Sequence, residues 1–193
     1  MFHIYSYYFG KEKITSLVIE PNLIPNTIKS NDGVTYLFRD NKLIGINFFN
    51  VELSTTSIGL EKKPSKELID QINSYLTKEG LDKLDYVSNS SFLVFEVERR
   101  EEHPVFEKQA IVTLKGLNDT LTTVTRYSNF KIGDHLVCLV NNGARLDGTF
   151  FKERIEKNIP IQAEINSPKD LRIGEDEKDA YITSLPIGAD FFA

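Results

Sequence analysis

Of the side chains that carry chemistry in proteins, this 193-residue chain offers three histidines, one cysteine and 28 carboxylates. The densest grouping is EEHPVFEKQ, Glu101 to Gln109, where His103 stands beside Pro104 with glutamates on both sides. Imidazole with carboxylate can hold a metal or relay a proton. A metal centre needs further ligands at set spacing, and the chain has no HxH, HExxH or CxxC. His3 and His135 fall in apolar, strand-like runs far away in sequence. Pro104 steers His103 away from helical geometry, so the segment reads as a turn at a strand exit.

The remaining candidates carry less. Cys138 lies in HLVCLV among apolar neighbours with no paired base, the setting of a buried small hydrophobe. Glu101-Glu102 and Glu96/Glu98 show no apolar pocket that would raise a carboxyl pKa for acid catalysis. NNGARLDG, Asn141 to Gly148, lacks the lysine and following helix of a phosphate-gripping loop. No catalytic set, metal or cofactor is expected, and the protein is read as a non-enzyme.

Basic and aromatic side chains are better supplied. Arg99, Arg100, Lys108, Arg126, Tyr127, Lys131, Arg145, Lys152 and Arg154 could meet phosphate or stack on bases, or simply form a solvated rim. The charge balance opposes strong phosphate binding: 23 basic against 28 acidic side chains leave −5. From Phe92 to Ala193 the count is 13 basic and 17 acidic, a balance of −4. Neither tight non-specific DNA binding nor DNA sequence specificity is expected.

The elements that would position these residues form two blocks. In the first, Ile4–Phe9 and Ile14–Ile19 flank Gly10-Lys11-Glu12-Lys13 as a hairpin, and Val34–Asp40 and Lys42–Asn50 meet at Asp40-Asn41 as a second. Gly45 marks a bulge or a close backbone contact, and PNLIPNTIKSNDG reads as connection. PSKELIDQINSYLTKEGL places Leu68, Ile69, Ile72, Tyr75, Leu76 and Leu81 at helical spacing, predicting a helix over 65–80 with Gly80 at its C-terminal end. This gives a small α+β domain over residues 1–88, closed by the polar SNSS, Ser88 to Ser91.

The second block, residues 89–193, reads as strands: Ser91–Arg100, Gln109–Leu114, Leu121–Thr125, His135–Val140 and Ile159–Ile165. Glycine-bearing turns join them, and five such strands suit a small closed barrel. GEDEKD, Gly174 to Asp179, reads as a solvated loop before a last apolar piece, Tyr181 to Leu185. The composition, 40% hydrophobic and 26% charged, is that of a globular protein. No apolar run approaches the roughly 20 residues that span a bilayer, so no membrane partner is expected. MFHIYSYYFGKEK lacks the parts of a signal peptide and one cysteine allows no intrachain disulfide, so a cytoplasmic location is expected.

At HPVFEK, His103 to Lys108, and NFKIGDHLVCLVNNGARLDG, Asn129 to Gly148, the chain resembles the tRNA-binding domain family. That domain stands free in bacterial YtpR-like proteins and is appended to methionyl- and phenylalanyl-tRNA synthetases. GINFFN, Gly45 to Asn50, is similar to a motif of the short N-terminal domain in the YtpR-like branch. The resemblance implies an OB-fold barrel behind an α+β domain, and weak binding of tRNA or other structured RNA. Together with the barrel topology it suggests Arg126, Asn129, Arg145 and Ser167 as RNA-contacting residues, although Thr125-Arg126 stands where the family has cysteine-glycine, and it allows a homodimer. Departures stand beside it: Phe106 replaces a small residue, and only Ser167 survives of the family's late run, with Glu164 where methionine is usual. The alternative is a degenerate OB-fold kept as a protein-interaction or structural module.

Overall fold

In the computed structural model, residues 2–56, 58–86 and 90–193 are described. The chain divides into two compact units, Met1–Ser88 and Asn89–Ala193. Ser88 and Asn89 of the expected linker lie outside the described residues.

The first unit is built on β1 (His3–Phe9), β2 (Glu12–Val18), β3 (Thr27–Asn31), β4 (Val34–Arg39), β5 (Lys42–Phe49) and β6 (Gly59–Leu60), with α1 (Lys66–Lys78). The strands make one six-stranded sheet in the order β3-β4-β5-β2-β1-β6. It is more β-rich than the α+β domain expected from the sequence, because β3 lies where connection was expected and β6 in a stretch given no element. β3 is exposed at every residue, so it shows no apolar alternation. Its signal is the turn instead: Asp32 and Gly33 take φ values of +46° and +78°, the left-handed pair of a tight hairpin. Asp40 and Asn41, at +50° and +64°, do the same between β4 and β5.

Alternation places Val34, Tyr36, Phe38, Ile46 and Phe48 in a core shared with Leu68, Ile69, Ile72 and Leu76 of α1. Ser65 starts the helix by accepting the Leu68 N–H at 3.1 Å. Its end is a Schellman motif: Leu81 N–H donates to Leu76 O and Gly80 N–H to Thr77 O, with Gly80 at φ +68°. Among the described residues, no helix is long and apolar enough to cross a membrane.

The second unit contains β7 (Phe92–Glu102), β8 (Ala110–Lys115), β9 (Thr120–Thr125), β10 (His135–Val140), β11 (Arg154–Glu156), β12 (Ile159–Ile161), β13 (Ala163–Ile165) and β14 (Ile182–Thr183). Sheet order β13-β10-β7-β8-β9 gives a nearly closed five-stranded barrel consistent with an OB-fold. β7 serves both neighbours, pairing β10 from Phe92 to Glu96 and β8 from Glu96 to Glu102. A bulge at Glu98 supplies the extra twist this requires. Val97, Val112, Leu114, Leu136, Cys138 and Ala163 fill the interior.

The predicted strand Ile159–Ile165 is broken at Gln162. Its first half pairs with β11 across Lys157-Asn158, both at positive φ, as a separate two-stranded hairpin. β14 adds to β10 from the expected last apolar piece.

Gly45 satisfies both expectations at once. The β4–β5 register shifts beside it, with Leu37 opposite Gly45, Phe38 opposite Leu43 and Ile44 skipped, and a Cβ at Gly45 would sit 2.9 Å from Leu17 O. Backbone of β2 therefore meets backbone of β5 with no slack. Gly45→Ala should cost about 1–3 kcal/mol in urea denaturation followed by circular dichroism; an unchanged midpoint would show that the two strands can part without loss.

Candidate nucleic-acid interface

Two grooves flank the end of β9. The first, about 890 Å³, is lined by the turn between β7 and β8, Glu101 to Gln109, together with Arg100, Arg126 and Ser128. The second, about 520 Å³, follows the seam where β9 faces β13 and includes Arg126, Tyr127, Arg154, Glu164, Glu177 and Lys178. Arg126 is the residue common to both. These are the places, one strand face and the loops beside it, where OB barrels take up oligonucleotides.

The β7–β8 turn is organised by His103. Its Nδ1 accepts two backbone N–H groups, Val105 at 3.1 Å and Phe106 at 3.0 Å. That fixes Nδ1 as an acceptor and leaves any ring proton on Nε2. His103 is buried, with the Phe106 ring tilted against its own at a centroid distance of 4.9 Å. Phe106, at a position where the resembled family keeps a small residue, covers this cap. His103 N–H also donates to Gln109 O, closing the turn. Among the described residues no three His, Cys, Asp or Glu side chains are grouped to hold a metal.

The four residues proposed from sequence do not form one surface. Arg126 is exposed and makes no hydrogen bond or ion pair among the described residues. Arg145 is committed: Nε and Nη2 meet the two Glu164 oxygens at 2.8 and 2.6 Å. Its Nη1 donates to Thr149 Oγ1 and Phe150 O, both at 3.1 Å. The hydrogen bonds Arg145 donates to Glu164 raise the guanidinium pKa further above its usual value. Thr149, through its hydroxyl and N–H, lowers the pKa of nearby Asp147.

Asn129 binds the chain itself, donating Nδ2–H to Ala180 O at 2.9 Å and accepting Ala180 N–H at 2.8 Å. Ser167 is buried, and its Oγ–H donates to Asp170 Oδ2 at 2.7 Å. Tyr127 O–H reaches the same carboxylate at 3.4 Å, and burial raises its pKa. Arg100 lies over the Phe130 ring at 5.6 Å, and Arg99 pairs with Glu101. Cys138 is fully buried, and desolvation pushes its thiol well above the usual range.

Lys178 is the groove residue that the sequence did not suggest. It lies in the acidic GEDEKD stretch, which is exposed as expected but folds back against the seam. No local pattern marks it, because its position depends on Asn129 anchoring Ala180 two residues later.

No protein-family model matches the chain, and no curated protein matches it. Shape supports an OB-fold-like barrel; the narrower kinship rests on sequence motifs alone.

Two outcomes test the geometry. His103→Ala, which uncaps two N–H groups beneath Phe106, should lower stability by about 1–3 kcal/mol in urea denaturation, with His103→Asn recovering part of it. A double-mutant cycle over Arg145→Met and Glu164→Gln should give a coupling of about 1 kcal/mol, kept modest because both side chains are 32% exposed. Zero coupling would release Arg145 for an outside ligand.

Proposed function

We propose that this is a non-catalytic RNA-binding protein of the YtpR-like kind, which holds tRNA or other structured RNA weakly at the β9–β13 groove. One observation carries the reading. In a chain of net charge −5, this groove gathers Arg126, Arg154 and Lys178 against Glu164 and Glu177 only. Both of those carboxylates are already answered, Glu164 by Arg145 and Glu177 by Lys169. Arg154 is itself paired with Glu156 at 3.5 Å, so Arg126 and Lys178 are the groove cations without an ion pair among the described residues, and they leave it locally cationic although the barrel is acidic. Phosphate neutralisation needs the local field, not the net charge.

Arg126 and Lys178 contact phosphates in this proposal, and Tyr127, half-buried on the rim, offers a stacking edge. Arg145 supports the groove from behind by neutralising Glu164. Asn129 and Ser167 hold the loops that shape it. So few free cations predict weak affinity. The alternative, a barrel kept for protein contact, is favoured by the internal bonding of Asn129, Arg145 and Ser167.

Gel-shift titration with total tRNA at low salt decides between them. Binding is expected in the range of about 1–50 micromolar, falling about tenfold between 50 and 200 mM salt. Arg126→Ala/Arg154→Ala should weaken it by roughly another factor of ten. No shift at tens of micromolar protein, or one indifferent to the double substitution, would leave the protein-contact reading.

A further inference from the structure

The end of the barrel opposite Arg126 carries a second recess. The β8–β9 turn, Gly116 to Asp119, the start of β7 and the end of β10 enclose about 510 Å³ there. Leu93, Phe95, Leu121 and Val140 contribute its apolar wall. Leu117, 70% exposed, stands beside it against Gly188. This volume is in the range of recesses that accept one or two side chains of a ligand.

Its charge is all of one sign. Asp119 and Glu153 line it, and no lysine or arginine does. Both residues are exposed, and neither carboxylate has an ion pair among the described residues. In the β9–β13 groove, by contrast, Glu164 and Glu177 are each paired with a cation. Asn118 adds an exposed amide at the rim, suited to a peptide N–H or C=O.

The chain's own C-terminal segment borders the recess through Gly188 and is held there by its own bonds. Gly188 N–H donates to Val94 O, Val94 N–H to Ala189 O, and Asp190 accepts from Ser90. A phosphate backbone would be repelled by two unpaired carboxylates. The recess therefore calls for an apolar body joined to a cation.

We propose that this end of the barrel binds a segment of a partner protein in which a large apolar side chain stands next to a lysine or arginine. The apolar side chain enters between Leu93, Phe95, Leu121 and Val140. The cation lies across Asp119 and Glu153, and the segment's backbone meets Asn118. The site is independent of the RNA reading and would stand if tRNA failed to bind.

The test uses the full chain and four acetylated, amidated probe peptides: Gly-Leu-Lys-Gly-Ser, Gly-Phe-Arg-Gly-Ser, and the same two with the basic residue replaced by glutamate. Amide shifts in nuclear magnetic resonance report where each binds and how tightly. The basic peptides should shift Leu93, Leu117, Asn118, Val140 and Glu153, with dissociation constants of about 1 mM or tighter. The glutamate peptides, and the Asp119→Asn/Glu153→Gln chain with any peptide, should bind at least about tenfold more weakly. Asp119→Asn/Glu153→Gln should keep its tRNA shift, and Arg126→Ala/Arg154→Ala should keep its peptide binding. Absence of shifts at about 5 mM basic peptide, equal binding of the glutamate peptides, or unchanged binding by the doubly neutralised chain would each overturn the proposal.

Discussion

At the seam between β9 and β13 the barrel closes without a regular ladder. Gln162 N–H donates to Thr122 O, the Gln162 side chain accepts Thr122 N–H, and Thr123 Oγ1–H reaches Ala163 O. Two strand edges are satisfied with a few bonds, two of them from side chains, so neither edge is left to template another chain. The break at Gln162 is what makes this work: it frees one residue to bond sideways and lets the strand change direction. Everything beside the seam follows. β12 leaves the barrel to pair with β11, Arg154 is carried to the groove, and Glu164 on β13 comes within reach of Arg145.

That last pairing alters how the departures from the resembled family should be understood. Taken singly, Glu164 is a carboxylate where RNA contact is implied, and Arg145 is a candidate RNA ligand. In the structure each cancels the other, in a bidentate arrangement that lysine would not reproduce. The same applies at His103 and Phe106, where an imidazole cap and a covering aromatic act together.

Much of the fold was legible in the sequence, and what escaped has common physical causes. α1, the two early hairpins and four of the five barrel strands follow from apolar period and turn chemistry, which are local. β3 and β11 escaped because each is exposed along its whole length and stabilised by a turn and a neighbour, with no burial pattern to read. The candidate site was less legible. Arg126 lines both grooves, but Asn129, though exposed, gives its amide to the Ala180 backbone, and Ser167 is buried. Whether a polar side chain serves a ligand or its own backbone is decided by partners distant in sequence: Ala180 lies 51 residues from Asn129. Tyr127 and Lys178 meet in one groove for the same reason.

Along β9, distance sustains the contrast between the cationic groove at Arg126 and the acidic recess at Asp119. Arg126 follows the last residue of β9 and Asp119 precedes its first, so the strand separates them. At about 3.4 Å per residue the gap is roughly 20 Å, twice the screening length of about 8–10 Å at physiological salt. Arg126 and Asp119 therefore present separate fields, whereas Glu153 and Arg154, adjacent in the chain, bring the acidic recess and the cationic groove together on the other side, and the net charge describes neither. Charge balance taken from composition excludes a uniformly basic protein; it does not exclude a local basic groove once folding has paired off the carboxylates behind it.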